Sequence, residues 1–132
     1  QLVEILPQAD VVICAAPLTV KSKGTFGARE FAAMKDTAYF VNVSRGGLVQ
    51  TEALLEALQN GKFRGVGLDV TDPEPLPVDH PLRSFRNVVI SPHLAGMSDN
   101  NFTRRYENIM LNIDRFIHDR PLINIVDKER GY

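Results

Sequence analysis

Four short apolar runs recur along this chain, and what separates them decides the fold. They are Val11–Ala15, Ala38–Val43, Gly65–Val70 and Val88–Ile90. The first is apolar without interruption, as expected for a strand covered on both faces of a parallel sheet. Between the runs lie helical patterns. Ala28 to Met34 reads as a helix with Phe31 and Met34 on its inner side, and Glu52 to Gln59 as one presenting Leu54, Leu55 and Leu58 to the sheet. Thr51 is the expected N-cap of the second, and Asn60-Gly61 its stop. Strand alternating with helix implies an α/β domain built on a parallel sheet.

Residues 71–86 hold four of the eight prolines and predict a stiff irregular loop. The two glycines of the third run, Gly65 and Gly67, suggest close approach of other backbone. A last helix is expected from Asp99 to His118, with Ser98 as N-cap. In it Phe102, Tyr106, Ile109, Ile113 and Phe116 form one apolar stripe at helical period. Pro121 blocks its continuation, and Leu122–Val126 reads as an apolar tail that packs elsewhere. The opening stretch Gln1–Leu6 reads as the end of a helix, so a fragment of a longer protein is expected.

A net charge of -1 gives no electrostatic case for nucleic acid or an anionic membrane. No apolar run approaches the ~20 residues needed to span a bilayer, and no signal peptide is visible. The single cysteine, Cys14, lies inside the first apolar run. It is expected to be a buried free thiol, which fits a reducing, cytoplasmic compartment. One cysteine and three scattered histidines provide no metal-ligand spacing.

In open parallel sheets ligands bind beyond the carboxyl ends of the strands. Arg45, Asp69, Glu74 and His93 all fall at or just past such ends. Arg45 can grip a carboxylate through two parallel hydrogen bonds, and the adjoining Gly46 and Gly47 would let a substrate approach the backbone. His93 can exchange a proton with a carbonyl oxygen near neutral pH, and Pro92 stiffens its loop. Glu74, between Pro73 and Pro75, could bond the far ring nitrogen of His93, hold the ring and favour its charged form. Taken alone, each also fits a plain structural role: an ion-paired arginine, a backbone-bonded histidine, a solvated loop acid. His80 and His118 read as surface residues. Ser44 and Ser91 sit in no nucleophile elbow, so a hydrolase is not indicated.

The strings around these residues resemble the D-isomer-specific 2-hydroxyacid dehydrogenases, the family of phosphoglycerate, glyoxylate/hydroxypyruvate and D-lactate dehydrogenases. They are Ala16-Pro17-Leu18-Thr19, Met34-Lys35, Val41-Asn42-Val43-Ser44-Arg45-Gly46, Gly67-Leu68-Asp69-Val70, Glu74-Pro75 and Ser91-Pro92-His93, and their order and spacing carry the likeness. The resemblance runs from Leu6 to about Gly96. It implies the second half of a Rossmann-type NAD(P)-binding domain over residues 1–118, and a tail at 119–132 that packs on a substrate domain. It implies hydride transfer between NAD or NADP and a small 2-keto or 2-hydroxy acid. Arg45 would bind substrate, and His93 with Glu74 would be the acid/base. Ala16, Pro17, Val43, Asp69, Ala95 and Gly96 would meet the cofactor, with Asp69 at the nicotinamide carboxamide. A homodimer is implied too. The family's Gly-x-Gly-x-x-Gly turn is not in these residues, so they would hold half of the cofactor cradle. Ser22 stands where the family carries a threonine. The same likeness leaves open a cofactor-controlled binding or corepressor module, or an inactive fragment.

Overall fold

Residues 2–132 are described by a computed structural model. The four runs form one parallel sheet in the order β1-β2-β3-β4, with β1 Val11–Cys14, β2 Tyr39–Asn42, β3 Gly65–Leu68 and β4 Val88–Ile90. Every pairing is parallel, and the register sets Cys14 beside Asn42, Asn42 beside Leu68 and Leu68 beside Ile90. All four strands therefore end on one edge.

The helices are α1 Leu2–Ile5, α2 Ala28–Ala33, α3 Thr51–Gln59 and α4 Asn101–Ile117. At the start of α2 the Glu30 carboxylate reaches back to accept from the Gly27 N–H, satisfying one of the donors a helix start leaves open. After α3, Gly61 takes a left-handed φ of 73°, the conformation that ends helices and that glycine adopts without steric cost.

The chain forms two compact units, the first ending at Ala95 and the second spanning Gly96–Tyr132. The core of the first is aromatic at its centre. Phe31 and Phe40 are at most 1% exposed, and Phe26 and Phe63 pack on them with ring centroids 5.0–6.4 Å apart. Such pairs add to the burial of the rings themselves, which is worth about 2–3 kcal/mol per side chain. Leu54 and Leu58 of α3 are buried with them, and Leu55 is partly buried against the same core. Cys14 is buried and free, and burial pushes its thiol pKa up.

The second unit is α4 and its tail. No residue of α4 is buried, and its stripe from Phe102 to Phe116 is at least half exposed at every position. The helix ends at Ile117, ahead of Pro121. Asn112 then holds the tail by both its groups: it donates to the Ile123 carbonyl and accepts from the Ile123 N–H.

Several local expectations are corrected. β1 is not covered on both faces: Val11 and Ile13 are 53% and 61% exposed while Cys14 is buried. Thr51 is the first residue of α3, not its cap; its hydroxyl has a tertiary partner, the Asp72 carbonyl, at 2.7 Å. Ser98 does not cap α4 with its side chain; only its carbonyl accepts, from Asn101 N–H. What approaches Gly65 is the Tyr39 ring of β2, 2.9 Å from where a Cβ would stand, while Gly67 has ordinary room beside Val41. Among the described residues no helix is long and apolar enough to cross a membrane.

Candidate active site

The carboxyl edge of the sheet is built by turns that the strand ends themselves hold. Asn42, fully buried at the end of β2, donates to the Arg45 carbonyl at 3.0 Å and accepts from the Ser44 N–H at 3.1 Å. That side chain closes a tight turn and puts Arg45 outside it. Ser44 links the turn to the segment after β1 through the Ala16 carbonyl. Arg45 is exposed. Its Nη1 donates to the Ser44 carbonyl, and among the described residues Nε and Nη2 have no partner. The guanidinium so keeps donors for a carboxylate.

The glycine after it serves a different purpose from the one expected. A Cβ on Gly46 would stand 1.9 Å from the Thr71 carbonyl oxygen. The partner that comes close is the backbone leaving β3, not a substrate. Gly46 packs the Arg45 turn flat on the start of the Glu74 loop.

Glu74 and His93 meet directly: Nδ1 of His93 lies 2.6 Å from Oε1 of Glu74. Both side chains are about two-fifths exposed. An ionised carboxylate only accepts, so Nδ1 carries the hydrogen and donates it. Nε2 then has no partner among the described residues and is available to give or take a proton. A cleft of about 410 Å³ is lined by both residues, with Asp69, Leu76, Arg83, Ile90 and Ser91 among the others. Arg45 does not line it; it stands past the neighbouring strand end.

His93 has φ +57°, a left-handed conformation that costs a residue with a side chain roughly 1–2 kcal/mol. Asp69 offsets that cost. Its backbone carbonyl accepts from the His93 N–H at 3.0 Å. The residue is 6% exposed, and its carboxylate accepts from the Ser91 hydroxyl at 2.6 Å and from the N–H groups of Leu94 and Ala95 at 2.8 Å each. Burial pushes this carboxyl pKa up, but those three hydrogen bonds and the nearby His93 ring outweigh it, and the net shift is downward. The buried acid beside the edge therefore clamps the loop that carries His93.

Of the other expected residues, Ala16, Pro17 and Val43 are exposed on the carboxyl edge past β1 and β2. The Ala95 N–H is taken by Asp69, and Gly96 opens the second unit, where its carbonyl accepts from Asn101. His80 is partly buried, and its ring Nδ1 accepts from the Leu82 N–H at the start of the turn Pro81–Ser84. His118 is exposed and bonded to Asp114. Among the described residues no group of three or more His, Cys, Asp or Glu could hold a metal.

The family model for the NAD binding domain of D-isomer specific 2-hydroxyacid dehydrogenases matches residues 1–95. The chain belongs to this family. The glyoxylate/hydroxypyruvate reductase B of Salmonella newport is 42% identical over 113 residues, which are 86% of this chain and 34% of that protein. Two solved members superpose closely. A D-isomer specific 2-hydroxyacid dehydrogenase from Xanthobacter autotrophicus Py2, in complex with NADPH and MES, has TM-score 0.87 at 37% identity. It is covered for 54% of its length by 98% of this chain. The NADPH-dependent glyoxylate/hydroxypyruvate reductase of Sinorhizobium meliloti, in complex with NADP and sulfate, has TM-score 0.89 at 32% identity, with 99% of this chain covering 42% of it. The chain thus spans about half of these relatives or less.

The bonds by which Asn42, Thr51 and Arg83 hold turns and loop carbonyls near this edge were not expected. Only Asn42 left a signal, a polar residue inside a strand-type apolar run, three positions before a candidate arginine.

Proposed function

We propose that the full-length protein interconverts a small 2-keto acid and its 2-hydroxy acid, and that this chain supplies the residues that hold substrate and move the proton. The observation that carries the reading is the 2.6 Å contact between Glu74 and His93 at the carboxyl edge, beside an arginine with donors to spare. Arg45 binds the substrate carboxylate and draws density toward the carbonyl oxygen. His93, its Nδ1 held by Glu74, presents Nε2 to that oxygen and gives it a proton in reduction; in the reverse direction it removes it. Glu74 orients the ring and neutralises the positive charge that the ring carries when doubly protonated.

The residues fit the nicotinamide end of a dinucleotide. Ala16, Pro17 and Val43 form an exposed apolar surface past two adjacent strand ends, the place where open parallel sheets receive such ligands. Asp69 spends three of its carboxylate's roughly four acceptor positions on the loop, which leaves one, on Oδ2, for a carboxamide. We assign the contacts to these four residues and to the Ala95 backbone. NAD or NADP bound there would supply the hydride.

Steady-state oxidation of NADH and NADPH by the full-length protein, with glyoxylate, hydroxypyruvate and pyruvate, tests the reading. Turnover with at least one of these acids is the expected result. Cofactor binding without turnover of any would instead make this a binding module.

A further inference from the structure

We propose that Thr51 and Arg83 are positioning residues for Glu74, pinning its loop on either side; this rests on the dehydrogenase reading above. Glu74 sits in the stretch 71–77, which has no helix or strand. Three of its seven residues are Pro73, Pro75 and Pro77, which have no N–H to anchor them. Carbonyls are the handles such a loop offers, and two side chains from outside it take them. Thr51, at the start of α3, donates to the Asp72 carbonyl at 2.7 Å. Arg83, in the turn before β4, donates from Nη2 to the Leu76 carbonyl at 2.7 Å and from Nε to the Pro77 carbonyl at 2.9 Å.

The two clamps flank Glu74: Asp72 is two positions before it, and Leu76 and Pro77 are two and three after. Leu76 is also buried, which seats the distal clamp against the core. Between them the Glu74 side chain has His93 as its partner among the described residues. A hydrogen bond of 2.6 Å does not survive a loop shift of about 1 Å, and misplacements of that size can cost up to about a hundredfold in rate. Arg83 serves the two carbonyls from two nitrogens of one planar fork, a geometry that a lysine's single ammonium does not reproduce.

The test is a kinetic cycle in the full-length protein with glyoxylate or hydroxypyruvate. Thr51→Val and Arg83→Met should each lower kcat about tenfold while KM for the keto acid stays within about threefold, since Arg45 is untouched. Thr51→Ser should restore kcat, and Arg83→Lys should fall between Arg83→Met and the parent. In a Glu74→Gln background the same substitutions should have little further effect, because the residue they position is already disabled. A melting curve for each variant identifies those that are folded, and Thr51→Ser and Arg83→Lys are the mild pair. Unchanged kcat in Thr51→Val and Arg83→Met overturns the proposal. So does an equal fold-loss in the Glu74→Gln background, which marks a general structural role. If Glu74→Gln alone leaves kcat unchanged, the dehydrogenase reading of the pair falls as well.

Discussion

Asp69→Asn is the change that most sharply separates a loop clamp from a passive buried acid. The carboxylate takes three donors on two oxygens: the Ser91 hydroxyl and the Leu94 N–H on Oδ1, and the Ala95 N–H on Oδ2. An asparagine has one oxygen. Its best orientation keeps that oxygen toward Ser91 and Leu94 and turns the NH2 toward the Ala95 N–H, donor against donor. Losing one charge-assisted bond and leaving a buried donor unpaired costs about 2 kcal/mol. The penalty falls first on the His93 loop, whose left-handed residue is followed directly by the two N–H groups that the carboxylate holds. Amide hydrogen exchange at Leu94 and Ala95 reads it: 2 kcal/mol corresponds to roughly 30-fold faster opening at neutral pH. The pH dependence has a definite sign. Asp69 has a folded pKa below the ordinary carboxylate value, so its contribution is fully present above the unfolded value of about 4 and is lost as pH falls through the lower folded value. The gap between parent and variant should therefore be constant from about pH 5 upward and narrow below about pH 4. Exchange rates within twofold of the parent at pH 7, or a gap that stays undiminished at pH 2, would refute the clamp.

Arg45→Lys should raise KM for the keto acid by about tenfold or more with a smaller change in kcat, because a point charge replaces a two-bonded fork; unchanged KM would remove Arg45 from the substrate site. Phe40→Ala, at a fully buried ring in contact with Phe26, Phe31 and Phe63, should destabilise the chain by about 3–5 kcal/mol in urea unfolding, and a loss under 1 kcal/mol would show that the cluster is not the centre of the core. Gly46→Ala drives a methyl group into the Thr71 carbonyl and should cost about 1–3 kcal/mol, with an unaltered melting temperature counting against the packed turn.

The strand framework was legible because its signal is local. Each strand is an apolar run, a Pro or polar residue follows within three positions of its end, and parallel order follows from helices between them. The pair Glu74 and His93 was legible as chemistry, since a carboxylate and a histidine past successive strand ends are in reach of each other. What was hidden depends on contacts across the chain. Asp69 bonds backbone N–H groups 25 and 26 positions later, and an N–H has no residue type to read. The Thr51 hydroxyl looked like a cap because caps are local, yet its partner is the Asp72 carbonyl 21 positions on. Gly46 was expected to admit a substrate, and only the fold reveals that Thr71 occupies that space. An apolar run such as β1 predicts cover on both faces, and in these residues one face of it is exposed.

The central claim is that His93 moves the substrate's proton. His93→Asn in the full-length protein should lower kcat for glyoxylate or hydroxypyruvate reduction by about 10²–10⁴-fold while cofactor affinity, measured by NADH or NADPH fluorescence titration, changes little. Turnover close to that of the parent would contradict the account.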